Sequence, residues 1–261
     1  MEKQSSRPSR RRLLTRALAI GPALVASAAT RAADKPASTQ PPRPLKAVCV
    51  GAHPDDPESG CGGTLARYAA AGHQVTVIYL TRGEAGILGK SHDEAATIRT
   101  AEAEEACKLL GARPVFAGQI DGATEINRER TRELTSLLET EAPDVVFAHW
   151  PLDTNSDHQA AAMLTLRAYF RSSKKFPLYF FEVNSGSQTF GFMPSTYVDI
   201  TATRDRKKAA LLAHRSQHGE RIYRIHHEPM ENFRGRELRV TAAEAFVALA
   251  RDSWAGRVPG L

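Results

Sequence analysis

The chain alternates short apolar runs with longer amphipathic segments from residue 46 onwards. Residues 46–50 form an apolar run that is typical of a buried strand, and residues 62–71 have the composition of a helix that ends at Gly72. Residues 74–81 are rich in β-branched side chains and predict a second strand. A strand, a helix and a strand in this order predict a parallel pair joined by a right-handed crossover.

The same alternation continues towards the C-terminus. Residues 93–110 predict an amphipathic helix with Asp93 as its N-cap and Gly111 at its end. Further strands are predicted over 114–117, 144–149, 178–183 and 196–200, and further helices over 128–141, 160–170, 204–215 and 241–251. Strands that alternate with helices are typical of an α/β domain. We therefore predict one α/β domain with a mostly parallel sheet over residues 46–261.

The segment ahead of this domain is predicted to be a targeting signal. Residues 9–15 resemble a twin-arginine signal and precede an apolar stretch at 17–29. That stretch is too short to cross a bilayer comfortably, since a span takes about 20 apolar residues. We predict a removable signal peptide over residues 1–33 and a Pro-rich linker over 34–45. A disordered, positively charged arm is the alternative interpretation.

This prediction changes the meaning of the net charge. The chain has a formal net charge of +6, and six basic residues against Glu2 in the first 28 residues account for five of those charges. The remainder is nearly balanced and has no cluster of Lys and Arg of the kind that binds nucleic acid. We expect export by the twin-arginine machinery to the periplasm or the cell exterior, with no lasting membrane anchor. The three cysteines are an odd number and predict no disulfide framework.

Titratable side chains concentrate in the loop after the first predicted strand. His53, Asp55, Asp56 and Glu58 lie within six residues, and Pro54 fixes one backbone torsion between them. Ligands of open parallel sheets bind at this edge. A turn whose aspartate caps the next helix is the simpler interpretation, but three carboxylates exceed what a cap requires.

The spacing of His53 and Asp56 lets both side chains converge on one ion while Asp55 stays free. Zinc accepts imidazole nitrogen and carboxylate oxygen, and a catalytic zinc site usually has three protein ligands and an open position. The loop supplies two ligands. The comparable cluster that follows the predicted strand at 144–149 offers His158. We therefore predict a metal site formed by His53, Asp56 and His158.

Around these residues the sequence resembles the LmbE-like, or PIG-L, family of zinc-dependent N-acetyl sugar deacetylases. The matching segments, in the family's order, are 52–56 with Glu58, 60–63, 81–86, Arg99 with Glu102, 157–158, 213–217 and 243–246. The resemblance implies a Rossmann-like, three-layer fold and one Zn²⁺ held by His53, Asp56 and His158, with Asp55 as general base. It also implies an enzyme, a hydrolase that removes the N-acetyl group from a GlcNAc-type sugar or glycoconjugate.

One position departs from the family pattern. The family commonly has a histidine two residues before the aspartate that precedes the last metal ligand, and this chain has Asn155 there. An asparagine amide can donate a hydrogen bond to an oxyanion, but it cannot donate a proton as an imidazolium can. We predict a catalytic group of Asp55, Asn155 and Asp157, although Asp157 orients the missing histidine in the family.

Two further residues are predicted to contact substrate. Arg99 matches a family arginine that does so, and Glu84 lies in a glycine-rich loop at the same sheet edge. A surface ion pair between Arg99 and Glu102 and a capping role for Glu84 are the alternatives.

Three other functions are weighed against deacetylation. A zinc amidase that acts on another acyl amide has the same metal chemistry, and the acyl pocket cannot be identified from the sequence. A non-catalytic carbohydrate-binding member is compatible with the loss of the histidine at position 155, although such a protein has no need of Asp55. A nucleotide-binding Rossmann protein fits poorly, because no Gly-x-Gly-x-x-Gly follows the first strand.

Overall fold

The computed structural model describes residues 43–249 and 258–261. The predicted signal peptide and most of the predicted linker lie outside the described residues, and both stay predictions. In the described part of the chain, no helix is long and apolar enough to cross a membrane.

A seven-stranded sheet forms the centre of the domain, in the order β3-β2-β1-β4-β5-β7-β6. The first five strands in that order are parallel, and β7 runs antiparallel to both β5 and β6. The strands are β1 Lys46–Gly51, β2 Gln74–Tyr79, β3 Arg113–Phe116, β4 Val145–His149, β5 Leu178–Phe181, β6 Thr196–Asp199 and β7 Ala243–Ala248.

Seven α-helices connect and cover these strands in the described residues. They are α1 Asp56–Ala70, α2 His92–Leu110, α3 Arg128–Glu141, α4 Ser156–Arg171, α5 Arg204–Ala213, α6 Gly219–Ile222 and α7 Glu228–Leu238. A 3₁₀ turn, Arg215–Gln217, and a π-helical turn, Tyr223–His227, lie between the last of them. The sequence did not predict the helical segment from 215 to 238.

The N-termini of three helices differ from the prediction. Helix α2 uses Ser91 as its N-cap, whose hydroxyl accepts the N–H of Glu94, rather than Asp93. Helices α1 and α4 begin several residues earlier than predicted, at Asp56 and Ser156. Two of the candidate metal ligands, Asp56 and His158, therefore lie in the first turns of helices, where the helix dipole favours negative charge.

The sheet separates two apolar cores, which gives the three layers. Side chains from α1, α2 and α5 pack on one face with Cys49, Tyr79 and Phe147, among others. Side chains from α3 and α4 pack on the other face with Val50 and Ile78. Alternate residues of the strands point to opposite faces, so both faces of the parallel strands are apolar. The predicted Rossmann-like, three-layer α/β fold is confirmed.

The predicted helix over 241–251 is wrong, because β7 occupies Ala243–Ala248. Its alanines favour a helix locally, but the segment fills the gap between β5 and β6 and completes their hydrogen-bonding edges. Glu244 of this strand is buried, and its carboxylate accepts the N–H groups of Gly63 and Thr64 at 2.9 and 2.7 Å. Tertiary pairing thus overrides local propensity here.

The strand order reverses between β1 and β4, which lie side by side at the centre of the sheet. Ligands of such sheets bind beyond the carboxyl ends of the strands at this switch point. The loop that follows β1 and the loop that follows β4 both leave the sheet there. The topology therefore brings the two predicted metal-binding segments together.

Candidate metal centre

His53, Asp56 and His158 meet at the switch point. Asp56 lies between the two imidazoles, with Oδ2 3.1 Å from His53 Nδ1 and Oδ1 3.2 Å from His158 Nε2. One donor atom from each residue lies within 4.8 Å of the others, and all three side chains are buried. Burial alone raises the pKa of Asp56, but His158 and His149 hold it well below its usual range. The carboxylate is therefore ionised.

The outer nitrogen of each imidazole faces another carboxylate. His158 Nδ1 lies 3.2 Å from Asp153 Oδ1. His53 Nε2 lies 3.1 Å from Asp157 Oδ2 and 3.0 Å from Asp121 Oδ1. Carboxylates in such positions fix the tautomer of a metal-binding histidine and make it a better ligand. The other two nitrogens, His53 Nδ1 and His158 Nε2, face Asp56 and are the ones available to an ion.

Asp157 has a defined place in this arrangement. Its Oδ2 accepts the N–H of Gly122 and its Oδ1 accepts the hydroxyl of Thr124, both at 2.7 Å. Burial raises the pKa of Asp157, but His53 and these two donors lower it far more. The structure thus places Asp157 behind His53 as an ionised, fixed partner of the imidazole.

His149 is a buried histidine that the sequence did not single out. It ends β4, and its ring stacks on that of His158 with centroids 4.2 Å apart. The backbone N–H of Ala52 donates to His149 Nε2 at 3.1 Å. Burial lowers the pKa of His149 to about 4, with the neighbouring His158 acting in the same direction. His149 is therefore neutral and positions the loop after β1.

Asp55 and Arg99 form a second charged pair beside the candidate metal ligands. Asp55 Oδ2 lies 3.3 Å from Arg99 Nη2. Arg99 is 3 % exposed and also donates to the carbonyl oxygens of Pro54 and Gly83. Burial raises the pKa of Asp55, and the guanidinium of Arg99 opposes that shift. The alternative of a surface pair between Arg99 and Glu102 is wrong, because Glu102 binds Ser216 instead.

The backbone of Asp55 has a φ of 111°, in the region that favours glycine. Such a conformation costs about 1–3 kcal/mol and persists only where its surroundings enforce it. The Oε2 of Glu58 accepts the N–H of Asp55 at 3.2 Å, and its Oε1 accepts the hydroxyl of Tyr79 at 2.6 Å. His214 Nε2 lies 3.3 Å from the same Oε1, and both side chains are fully buried. This buried group holds Asp55 in its strained conformation.

The remaining predicted residues differ in their positions. Asn155 is the N-cap of α4, its Oδ1 accepts the N–H of Asp157 at 2.8 Å, and it lines the cavity beside the metal-binding residues. Glu84 accepts the N–H of Arg82 at 3.0 Å and does not line that cavity. The structure thus brings Asn155 to the site and leaves Glu84 in its own turn.

The cavity at the centre has a volume of about 470 Å³. His53, Asp55 and Asp56 line it, together with residues at the N-terminus of α4. Most of the other lining residues come from the loops after β2, β3 and β5 and from the helical segment that contains the π turn. Its size is within the range of small-molecule sites. Asp121 also lines the cavity, and the sequence analysis did not identify it. Its position five residues after the end of β3 is the feature of the sequence that could have indicated it.

Several known proteins are similar to this chain in sequence or in fold. The model of the family described as "GlcNAc-PI de-N-acetylase", PIG-L, matches residues 48–169. A diacetylchitobiose deacetylase of Thermococcus kodakarensis is 27% identical over 69% of this chain and 73% of its own length. A 4-oxalmesaconate hydratase of Pseudomonas putida is 28% identical over 63% of this chain and 71% of its own length. A solved structure of a conserved protein from Thermus thermophilus is 33% identical, covers 83% of this chain and 99% of its own, and superposes with a TM-score of 0.68. The chain belongs to the PIG-L, or LmbE-like, family.

Proposed function

We propose that this protein is a zinc-dependent N-deacetylase that hydrolyses the acetamide of a GlcNAc-type amino sugar. The observation that carries the proposal is the grouping of His53, Asp56 and His158 on the floor of a cavity, with the carboxylate of Asp55 beside them. The relatives that act as deacetylases support the choice of reaction.

The donor set fits zinc. Two imidazole nitrogens and one carboxylate oxygen are ligands that zinc accepts, and three protein ligands leave an open position for substrate or water. The carboxylates of Asp153, Asp157 and Asp121 stand behind the two imidazoles, as in metal-binding histidines. When bound, zinc supplies a Lewis acid that acidifies water and polarises a carbonyl oxygen.

Asp55 is the base in this proposal. Its carboxylate lines the cavity and takes a proton from the attacking water, and it then returns that proton to the departing amine nitrogen. The buried group around Glu58 fixes the backbone of Asp55, so the carboxylate keeps its position through both steps. Arg99, 3.3 Å away, stabilises the carboxylate form. The amide of Asn155 donates a hydrogen bond to the oxyanion that forms at the acetyl carbon.

The charges in the cavity favour a neutral substrate over an anionic one. Of the described residues that line it, Arg99 alone carries a permanent positive charge, and Asp55 neutralises it. Asp55, Asp56 and Asp121 all line the cavity. Apart from the proposed zinc, a polycarboxylate would find no unpaired cationic side chain among these residues, whereas an N-acetyl sugar is uncharged and offers hydroxyls to the carboxylates. The carboxylates of the cavity therefore favour deacetylation over the reaction named for the Pseudomonas hydratase.

The test is acetate release from a panel of N-acetylated sugars by the zinc-loaded protein. Asp55→Asn should bind zinc as the parent does and lose about 10²- to 10⁴-fold in turnover, because general acid–base groups contribute that much. Asp205→Asn on the surface of α5 is the matched control and should keep full activity. An active Asp55→Asn variant would show that Asp55 is not the base. A zinc-loaded parent that releases no acetate from any sugar would favour another acyl amide or a binding protein.

A further inference from the structure

A second cleft lies next to the cavity of the metal centre, between the loop after β5 and α7. It has a volume of about 420 Å³. We call it the α7 cleft. The apolar residues that line it are Ile225, Pro229, Met230 and Phe233. The other lining residues come from the loop after β5, from the π-helical turn and from α7 itself.

The apolar residues form a stripe along one helical segment. Ile225, Pro229 and Phe233 recur every four residues, and positions four apart are neighbours on a helix surface. Ile225 is 44% exposed and Phe233 is 53% exposed. Adjacent exposed apolar side chains next to a cavity are a feature of ligand-binding surfaces.

The charged groups of the cleft are already paired. The guanidinium of Arg234 donates to both carboxylate oxygens of Glu182, at 2.6 and 2.8 Å, and to Glu237 at 2.7 Å. The hydroxyl of Ser185 donates to Glu182 as well. An ionic ligand would therefore find no unpaired partner in Arg234 or Ser185. The cleft fits an uncharged group.

The α7 cleft adjoins the metal-centre cavity. Asn184 and His226 line both. One molecule can therefore extend from the metal-binding residues into the cleft past these two side chains, which offer hydrogen-bonding groups at the boundary. Since the cavity holds the carboxylates and imidazoles and the cleft holds the apolar stripe, the matching molecule has a polar end and an apolar end.

We propose that the α7 cleft binds an uncharged alkyl or aryl group that is attached to the amino sugar. This inference rests on the proposed function, because it assigns the apolar part of the substrate whose acetamide is cleaved. It makes the preferred substrate an amphipathic glycoside, in which the sugar occupies the cavity and the apolar aglycone occupies the cleft.

The experiment compares acetate release from methyl, butyl and hexyl β-glycosides of N-acetylglucosamine. Each methylene that becomes fully buried contributes about fourfold in affinity, so the butyl glycoside should exceed the methyl glycoside by at least about tenfold in kcat/KM. Phe233→Ser should reduce that preference to about threefold or less and leave the methyl glycoside unchanged. Phe170→Ser is the control, because Phe170 is 66% exposed on α4 and does not line the cleft.

Three results would overturn the inference while the deacetylase function stands. They are equal rates for the three glycosides, a disaccharide of N-acetylglucosamine that is preferred to the hexyl glycoside, and a parent dimer that Phe233→Ser converts to a monomer in sedimentation. Failure of the deacetylase itself is recognised separately, as no acetate release from any glycoside. In that case calorimetric titration with hexyl β-D-glucoside, which has no acetamide, tests whether the cleft binds an alkyl group. Binding that Phe233→Ser abolishes supports the cleft, and binding that is absent or unchanged refutes it.

Discussion

The carboxylate of Asp153 should determine how tightly the metal centre holds its ion. Asp153 Oδ1 lies 3.2 Å from His158 Nδ1, and the same oxygen accepts the N–H of Asn155 at 3.0 Å. Its Oδ2 accepts the hydroxyl of Thr189 at 3.2 Å. Asp153→Asn keeps the shape of this buried side chain and removes its charge, so the variant isolates the electrostatic support of His158.

The expected loss of zinc affinity follows from the single interaction that Asp153→Asn removes. Outer partners of metal-binding histidines typically contribute 10- to 100-fold in metal affinity, which corresponds to about 1.4–2.7 kcal/mol. A hydrogen bond to a charged group contributes about 1.5–3 kcal/mol independently of any metal. The two ranges overlap. Both refer to the hydrogen bond between His158 Nδ1 and Asp153, because Nε2 is the nitrogen on the side of the proposed ion. We expect a zinc dissociation constant 10- to 100-fold above that of the parent.

The assay is competition for zinc between the metal-free protein and a chromophoric chelator of known affinity. Thermal unfolding of the metal-free variant shows separately that the fold is intact. Asp205→Asn, an exposed carboxylate at the start of α5, controls for the loss of one negative charge anywhere on the protein. A folded Asp153→Asn variant whose dissociation constant stays within twofold of the parent would refute the role assigned to Asp153.

Two further predictions concern stability. Lys207 is 1% exposed, with Nζ 2.8 Å from Glu244 and 3.6 Å from Glu231. Lys207→Met leaves these two buried carboxylates without their ammonium partner and should lower the free energy of unfolding in urea by about 3–5 kcal/mol. Lys208→Met at the exposed neighbour is the control and should change that free energy by less than about 0.5 kcal/mol. The hydrogen bond from Arg43 lowers the pKa of Asp144 to about 2. Asp144 therefore stabilises the fold fully above pH ~4 and loses that contribution as the pH falls through ~2. Asp144→Asn should cost about 1 kcal/mol at pH 6 and only a small part of that at pH 2, and a difference that is constant with pH would contradict this assignment.

The parts of the fold that the sequence predicted are those in which local pattern and tertiary environment agree. Helix α3 has the predicted bounds, because its apolar positions face the sheet and Asn127 caps it, accepting the N–H of Arg130. Strand β7 was mistaken for a helix, because its alanine-rich sequence has a helical preference and only the open edges of β5 and β6 make it a strand. The segment from 215 to 238 has several short helical turns and no long periodic pattern, so periodicity could not find it.

The grouping of the three candidate metal ligands was predictable for a different reason. His53, Asp56 and His158 each follow a strand of the parallel sheet, and the topology alone brings such segments together. Their outer partners were not predictable. Asp121 follows β3 and Asp153 follows β4, yet only the folded loops show which histidine each carboxylate faces. The sequence shows which carboxylates follow a strand, and the structure shows which histidine each of them faces.

Asn155 shows how a departure from the family pattern remains compatible with the same chemistry. As N-cap of α4, its Oδ1 accepts the N–H of Asp157 at 2.8 Å. A side-chain amide has one acceptor oxygen and one donor nitrogen, so the cap commits the oxygen and leaves the nitrogen as the group for a ligand. A histidine at this position would change its charge with pH, whereas the amide stays a neutral donor. The substitution therefore exchanges a titratable group for a fixed one, and the activity of this protein should lack the ionisation that such a histidine would add.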